Sequence, residues 1–339
     1  MLTTSRRLWY CAALLAGLFT TGASAATAPA YGVNLEGFTY PYPLHHFALR
    51  SQGTALQMGY MDIAPTGSSN GRAVVLLHGK NFCGATWVDT ITALAKQGYR
   101  VIAPDQIGFC SSTKPAHYQY SFQQLASNTH ALLDNLKITQ AAIIGHSTGG
   151  MLATRYALMY PQSVSRLVLV NPIGLEDWKA LGVPWRTVDQ WYQRELRISA
   201  QQIRDYEQKT YYSGQWKPEY DRWVDMLAGL NNGPGKPRVA WNSALIYDMI
   251  FTQPVYYEFT HLRVPTTLMI GTADTTAIGS DIAPPEVKAK LGHYNILGKT
   301  VAGLIPGAQL VEFPGMGHAP QMEDPEKFNH RLRSVLGQP

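Results

Sequence analysis

The chain has 339 residues, of which 45% are hydrophobic and 15% are charged, and its formal net charge is +5 at pH 7. This composition is typical of a globular protein with a sizeable core and excludes a disordered or low-complexity chain. The basic residues form no run or cluster, which argues against nucleic acid as a partner.

The N-terminal segment differs from the rest of the chain. Arg6 and Arg7 precede an apolar run at residues 8–19, and a small-x-small pattern follows at residues 23–25. These features predict a secretory signal peptide over residues 1–25, because the apolar run is too short to span a bilayer. Cleavage near Ala25 removes two arginines and no acidic residue, so the net charge falls from +5 to +3. We therefore expect a periplasmic or secreted protein without a membrane span after cleavage; the alternative is a retained membrane anchor.

The first half of the mature chain alternates between predicted strands and helices. Residues 45–51 and 55–63 have alternating polarity around Gln52-Gly53, which predicts a hairpin of two edge strands. Continuous apolar runs, typical of strands buried on both faces, follow at residues 73–77, 99–103, 141–144 and 167–170. Segments with helical spacing lie at residues 87–97, 122–136 and 151–160. This order predicts a doubly wound, mostly parallel sheet with helices on both faces.

The pattern changes after residue 172. Residues 173–262 contain six tryptophans and helical stretches but no clear strand, which we interpret as a helical cap inserted after the sixth strand. Some of its aromatic side chains are expected to line an apolar pocket. Strands at residues 266–271 and 309–313 complete an eight-stranded α/β sheet. The predicted organisation is a signal peptide (1–25), the first part of the core (26–172), the cap (173–262) and the second part of the core (263–339).

A Gly-x-Ser-x-Gly sequence at residues 145–149 connects a predicted strand to a predicted helix, which is the context that this motif requires. The turn is so tight that Ser147 must adopt a strained backbone conformation, and Gly145 and Gly149 must lack side chains. The hydroxyl of Ser147 would then stand at a helix N-terminus, which favours negative charge. The motif predicts a serine nucleophile; a simple glycine-serine loop is the alternative.

A serine nucleophile needs a base within reach and a third group to orient that base. Asp274 and His318 each follow a predicted strand, as Ser147 does, and side chains at the carboxyl ends of parallel strands meet at one edge. The spacing therefore predicts a Ser147–His318–Asp274 triad. Asp177 and Asp281 are the alternative acids.

The chain resembles the α/β-hydrolase-fold enzymes, specifically their capped, esterase- and lipase-like branch. The residues that carry the resemblance span almost the whole mature chain: His78-Gly79 with Trp87 downstream, residues 105–109 with Ser112, residues 145–150, Asp274 and residues 317–320.

By this resemblance Ser147 is the nucleophile, His318 the base and Asp274 the orienting acid. The oxyanion donors would be the backbone amides of Lys80 and Thr148. This role uses only the backbone amide of Lys80, so we expect the side chain of Lys80 to face solvent. Neighbouring residues are expected to lie at the substrate: Asn81, Phe82 and His146.

Two departures from the family pattern stand out. The relatives usually have glycine where Cys110 stands, and the interval between Asp274 and His318 is longer than usual. In this fold the third and fourth strands are neighbours, so Cys83 and Cys110 would lie on adjacent loops. The resemblance therefore implies a Cys83–Cys110 disulfide that braces the oxyanion loop in an oxidising compartment.

Serine at the motif argues against relatives that use aspartate there, the epoxide hydrolases and haloalkane dehalogenases. The expected function is a carboxylesterase acting on a small or medium apolar acyl ester as its small-molecule partner. One alternative is a proline-iminopeptidase-like amidase, which needs an acidic subsite from Glu176, Asp177, Asp189 or Glu195. Others are a C–C bond hydrolase and, in another class, a ligand receptor without turnover. No cofactor or metal is expected, because no His/Cys/Asp cluster has ligand spacing.

Overall fold

The computed structural model describes residues 29–337. The predicted signal peptide lies outside the described residues. Within residues 29–337, no helix combines the length and apolar character needed to cross a bilayer.

Eight strands form one sheet in the order β1-β2-β4-β3-β5-β6-β7-β8. The strands are β1 (Leu44–Ser51), β2 (Thr54–Ile63), β3 (Ala73–Leu77), β4 (Arg100–Pro104), β5 (Ala141–His146), β6 (Val164–Val170), β7 (Thr266–Gly271) and β8 (Gln309–Phe313). The pairs β1–β2 and β2–β4 are antiparallel, and all the others are parallel. The sheet is therefore the predicted one, except that β2 pairs on both sides and is not an edge strand.

The central strands are mostly apolar because helices cover both faces of the sheet. Every residue of β5 and β7 is buried. Alternate residues of one strand contribute to opposite layers of the core: Val75 and Leu77 of β3 join one apolar cluster, and Val74 and Leu76 join the other. A continuous apolar run is the sequence expected for a strand buried on both faces.

Eleven α-helices lie between and after the strands of the part of the chain that the structure describes. They are α1 (Val88–Lys96), α2 (Phe122–Asn135), α3 (Thr148–Met159), α4 (Val188–Glu195), α5 (Ala200–Thr210), α6 (Asp221–Asn232), α7 (Lys236–Thr252), α8 (Pro285–Lys288), α9 (Tyr294–Leu304), α10 (Pro320–Glu323) and α11 (Pro325–Leu336). The starts of α4 and α5 are fixed by capping boxes, at Thr187 with Gln190 and at Ser199 with Gln202. Each box satisfies amide groups that the first helical turn leaves unpaired.

Helices α4 to α7 belong to the segment between β6 and β7, which we call the helical insert (residues 173–262). Within it α4 packs against α7 and α5 against α6. The end of α5 is attached to the loop that follows β8. The amide of His318 donates to the carbonyl of Thr210 at 3.1 Å, and the amide of Ala319 donates to that of Tyr211 at 3.3 Å. The insert is thus held directly against the loop that carries His318.

Glu207, one turn before the end of α5, is fully buried, and neither carboxyl oxygen has a hydrogen-bond partner in the part of the chain that the structure describes. Burial raises the pKa of Glu207 from 4.5 to about 8. Between these two values the unfolded chain loses a proton that the folded chain keeps, so stability falls as pH rises.

We therefore expect Glu207→Gln to be more stable than the wild type by up to about 3 kcal/mol at pH 7 and no more stable below about pH 4. Urea unfolding at a series of pH values measures the difference. Glu286→Gln, which removes an exposed acid from α8, is the matched control. A difference between Glu207→Gln and wild type that does not change with pH would contradict this account of Glu207.

Candidate active site

Ser147 lies in a sharp turn between β5 and α3 and has φ 58° and ψ −122°. The two flanking glycines have no room for side chains. A Cβ at Gly145 would lie 2.1 Å from the carbonyl oxygen of Gly149, and a Cβ at Gly149 would lie 2.3 Å from that of Leu77. Real Cβ atoms do not approach backbone so closely, so both positions require glycine. The strained serine is therefore held by its surroundings at the carboxyl edge of the sheet.

Asp274 and His318 form a hydrogen-bonded pair at the same edge. Nδ1 of His318 lies 2.6 Å from Oδ2 of Asp274, and the side chains are 1% and 0% exposed respectively. Oδ2 also accepts from Nδ2 of Asn171 at 2.9 Å, while Oδ1 accepts from the amide and hydroxyl of Thr276 at 2.8 and 2.7 Å. Nε2 of His318 is buried and has no hydrogen-bond partner within residues 29–337. The imidazole is thus oriented on one side and free to exchange a proton on the other.

The loop after β3 lies against the hydroxyl of Ser147. A Cβ at Gly79 would lie 2.9 Å from Cβ and 3.4 Å from Oγ of Ser147. His78 shapes this loop: its Nδ1 donates to the carbonyl of Gly79 at 2.8 Å, and its Nε2 accepts from the amide of Gln106 at 3.1 Å. Burial lowers the pKa of His78, which keeps the ring neutral and suits one donor and one acceptor nitrogen. The backbone amide of Lys80 therefore comes directly after Gly79, the residue that lies against Ser147.

A disulfide joins Cys83 and Cys110, with their Cα atoms 5.9 Å apart. This is the pairing that the family resemblance implies. It links the loops that follow β3 and β4, and Asp105 reinforces the link by accepting from the amide of Gly84 at 2.7 Å. Cys83, Asp105 and Cys110 lie close enough together to suggest a metal site, but the bonded sulfurs cannot act as thiolate ligands.

We expect the double replacement Cys83→Ala/Cys110→Ala to lower the free energy of unfolding by about 3–4 kcal/mol, because the bond closes a loop with a sequence separation of 27 residues. Urea unfolding of oxidised wild type and the variant tests this. Reductant should destabilise the wild type and leave the variant unchanged. Equal urea midpoints for the oxidised wild type and the variant would show that the bond contributes no stability.

His146 and Phe82, two of the residues expected at the substrate, are both 1% exposed. Nε2 of His146 donates to the carbonyl of His318 at 2.8 Å, and the ring of Phe82 stacks on His146 at 5.6 Å. Burial, with the neighbouring His318, lowers the pKa of His146 well below its usual value, so its ring is neutral. Both residues support the loop that carries His318, and neither lines the cavity beside the site.

Tyr211, at the end of α5, packs on the imidazole of His318 with their ring centroids 5.0 Å apart. Its hydroxyl accepts from Nδ2 of Asn81 at 2.9 Å. Asn81 itself lines the cavity described below. Tyr211 thus connects the histidine to the cavity wall, a role that no feature of the sequence predicted.

A cavity of about 690 Å³ lies between the helical insert and the loops at the carboxyl edge of the sheet. Its wall includes Lys80, Asn81 and Thr276, which are next to groups of the site. Ser147 and His318 are not in the wall. The remainder of the wall is largely apolar and comes mostly from the insert, with side chains that include Trp191, Ile198, Ile203, Tyr206, Leu227, Leu230, Val239, Ile246 and Tyr247.

The side chain of Lys80 does not face solvent, contrary to expectation. Its Nζ lies 3.5 Å from Oε2 of Glu195 and 3.8 Å from the ring centroid of Tyr247, both in the helical insert. Glu195 also accepts from Nη1 of Arg194 at 2.7 Å and from the hydroxyl of Ser243 at 2.6 Å. Lys80 therefore connects the loop beside Ser147 to the insert.

Asn171, which orients Asp274, could have been found from the sequence. It directly follows β6, just as the other groups of the site follow their strands. Its Oδ1 accepts from the amide of Gly271 at 2.8 Å, so it also fixes the end of β7. Asp177 and Asp281, the alternative acids, are engaged elsewhere, with Tyr257 and Arg186 respectively.

The fold agrees with comparisons to known proteins. A family model described as "alpha/beta hydrolase fold" matches residues 72–325. A crystal structure of a probable hydrolytic enzyme from Pseudomonas aeruginosa PAO1 is 63% identical, with a TM-score of 0.91, and the match covers 91% of this chain and 99% of that one. An esterase from Exiguobacterium antarcticum shares the fold at 22% identity, with a TM-score of 0.65 over 83% of this chain and 96% of its own.

Sequence similarity also extends to proteins with other named activities. A haloalkane dehalogenase from Mycolicibacterium paratuberculosis is 33% identical over 140 residues, which are 41% of this chain and 45% of that protein. The match with the dehalogenase covers less than half of either protein, whereas the family model spans strands β3 to β8 and includes Ser147, Asp274 and His318. The chain belongs to the alpha/beta hydrolase fold family.

Proposed function

We propose that this protein is a serine hydrolase that cleaves a carboxylic ester of a small or medium, mostly apolar acyl substrate. The observation that carries the proposal is the buried pair of His318 and Asp274, 2.6 Å apart, at the sheet edge where the strained Ser147 emerges. An imidazole oriented by a carboxylate, with its second nitrogen unpartnered among the described residues, is suited to activate a hydroxyl.

In the proposed reaction Oγ of Ser147 attacks the ester carbonyl while Nε2 of His318 takes the hydroxyl proton. Asp274 stabilises the imidazolium through Nδ1. The alcohol leaves with the proton from His318, and an acyl-enzyme remains. Water then attacks that ester by the same route in reverse, releasing the acid and restoring Ser147.

The negative oxygen of each tetrahedral intermediate would be held by the amides of Lys80 and Thr148. The contact of Gly79 with Ser147 supports Lys80 in this role, and the position of Thr148 at the first turn of α3 supports the second amide. Such donors contribute roughly 3–4 kcal/mol each to transition-state stabilisation.

The substrate class follows from the cavity. Its apolar side chains suit an aliphatic or aromatic group, and its volume of about 690 Å³ lies within the range of small-molecule sites. Access from the cavity to Ser147 would pass the contact of Tyr211 with Asn81. The helical insert would then act as the cap that selects the substrate.

The amidase alternative loses support because only one of its four candidate acids, Glu195, lies in the cavity wall. Glu195 is compensated by Lys80 and Arg194. The cavity therefore offers no uncompensated carboxylate from this set to bind the free amine of a peptide. Ser147 in place of aspartate argues likewise against dehalogenase chemistry.

Export completes the proposal. A signal peptide over residues 1–25 would direct the protein to the periplasm or the medium, and the Cys83–Cys110 disulfide is compatible with that environment. The mature chain would then comprise the core (26–172 and 263–339) and the cap (173–262).

A fluorophosphonate probe and a series of p-nitrophenyl esters from acetate to octanoate test the proposal. We expect labelling of Ser147 and turnover that is highest with short or medium chains. Labelling without turnover of any ester in the series would favour the receptor alternative. Turnover of amino-acid amides but not of esters would favour the amidase.

A further inference from the structure

The charged side chains in the cavity wall are mostly cationic. Two are acidic, Glu195 and Asp281, and Asp281 is paired with Arg186. Six are basic: Lys80, Lys114, Arg194, Arg197, Lys209 and Lys288. Burial lowers the pKa of Lys114 to about 7, so the positive charge of the wall comes mainly from the other five, of which Arg197, Lys209 and Lys288 are exposed. A concave site lined by one sign of charge attracts ligands of the opposite sign.

The excess charge extends into the interior of the cavity. Glu195, with its side chain 8% exposed, is shared by Lys80 and Arg194, so two cations face one carboxylate. Burial alone would raise the pKa of Glu195, but Lys80 and Arg194 together hold it below its usual value, so the group stays ionised. One positive charge at this point is therefore not balanced by the protein.

Lys80 is placed to bind an anionic ligand that would balance this positive charge. Its side chain is 12% exposed and lines the cavity. Among the described residues its ammonium group has one hydrogen-bond acceptor, Glu195 at 3.5 Å, and it also lies 3.8 Å from the ring centroid of Tyr247. An ammonium group has three donors, so donors remain for a ligand. Arg194 is 39% exposed at the same point and can add a second, planar donor set.

We propose that the substrate bears a second, ionised acid group, a carboxylate, which binds between Lys80 and Arg194 in the cavity. This inference rests on the proposed esterase function and names its substrate class: half-esters of dicarboxylic acids or similar anionic esters. The amide of Lys80 would hold the reacting carbonyl, and its ammonium group would hold the carboxylate. The length of one lysine side chain then sets the spacing between the two groups of the substrate.

The test compares p-nitrophenyl hydrogen glutarate with p-nitrophenyl valerate, which has the same five-carbon acyl chain without the carboxylate. Each kcat/KM is divided by the second-order rate constant for hydrolysis of that ester by hydroxide, because in the spontaneous reaction the carboxylate of the glutarate ester attacks its own carbonyl. We expect the anionic ester to be favoured about tenfold or more at low ionic strength, and the preference to fall in 0.5 M NaCl because salt screens the attraction. Equal values for the two esters would overturn the inference while leaving the esterase function standing.

Variants test whether the preference for the anionic ester depends on Arg194 and Glu195. Arg194→Gln should reduce the preference about tenfold, and Glu195→Gln should increase it because it removes the competing carboxylate. Arg50→Gln, which removes an exposed charge from β1 outside the cavity, is the matched control and should leave the preference unchanged. An unchanged preference in Arg194→Gln, or an equal loss in Arg50→Gln, would refute binding between Lys80 and Arg194.

A binding measurement separates this inference from the proposed function. Ser147→Ala is titrated calorimetrically with monomethyl glutarate and with methyl valerate. Tighter binding of the glutarate half-ester supports the anion site even where the wild type hydrolyses no ester. Equal or weaker binding of the glutarate half-ester refutes the site whatever the turnover results.

Discussion

Replacing Ser147 with alanine is expected to abolish ester hydrolysis, lowering kcat by about 10⁴- to 10⁶-fold. Without Oγ no acyl-enzyme can form, and only the oxyanion donors and substrate binding remain to accelerate attack by water. The Michaelis constant should change little, because the hydroxyl contributes to the transition state more than to binding of the intact ester. Steady-state kinetics with the best p-nitrophenyl ester measure the loss.

Ser147→Ala is expected to remove the hydroxyl without changing the stability of the fold. Alanine and serine are similarly strained at φ 58°, so Ser147→Ala should unfold at nearly the wild-type temperature. Ser165→Ala, an exposed serine in β6, tests for a general effect of removing a hydroxyl. If Ser147→Ala keeps more than a hundredth of the wild-type kcat, the nucleophile must be sought elsewhere.

The turn around Ser147 could be predicted because its constraint is local. Glycine at 145 and 149 is required by atoms within a few residues of the turn and in the neighbouring strand, and a run of apolar residues before it identifies that strand. Asp274 and His318 could also be placed, since both follow strands whose order in the sheet is fixed by the family resemblance. Residues that are distant in sequence come together because the carboxyl ends of parallel strands lie at the same edge of the sheet.

The cavity wall could not be predicted in the same way. Tyr211 and Glu195 lie in the helical insert, where helical spacing identifies the helices but says nothing of how they cross or which loop of the core they contact. The expectation that Lys80 faces solvent failed for this reason. Its partners, Glu195 and Tyr247, come from two helices more than a hundred residues further along the chain.

The attachment of the insert to the loop carrying His318 has a consequence for specificity. Tyr211 packs on the imidazole and its backbone accepts from the amide of Ala319, so a shift of α5 would alter the position of the base itself. Lys80 similarly connects the insert to the loop that carries the proposed oxyanion donor. The insert that shapes the cavity is therefore coupled to two parts of the proposed catalytic machinery, and changes in it should affect kcat as well as the Michaelis constant.

The second large effect is expected for Asp274→Asn, with kcat lowered about 10⁴-fold. The amide of Thr276 donates to Oδ1 and cannot turn away, so the oxygen of an asparagine would occupy that position. Its NH₂ group would then face Nδ1 of His318, which must become the acceptor. The proton moves to Nε2, and that nitrogen can no longer take a proton from Ser147.

Asp177→Asn is the matched control for Asp274→Asn, because Asp177 was an alternative acid and its carboxylate instead accepts from the hydroxyl of Tyr257. It should keep nearly full activity. The kcat of Asp274→Asn should recover in part at high pH, where hydroxide can take the proton of Ser147 in place of the imidazole. A loss of less than tenfold in Asp274→Asn, or a large loss in Asp177→Asn, would show that the acid has been assigned to the wrong residue.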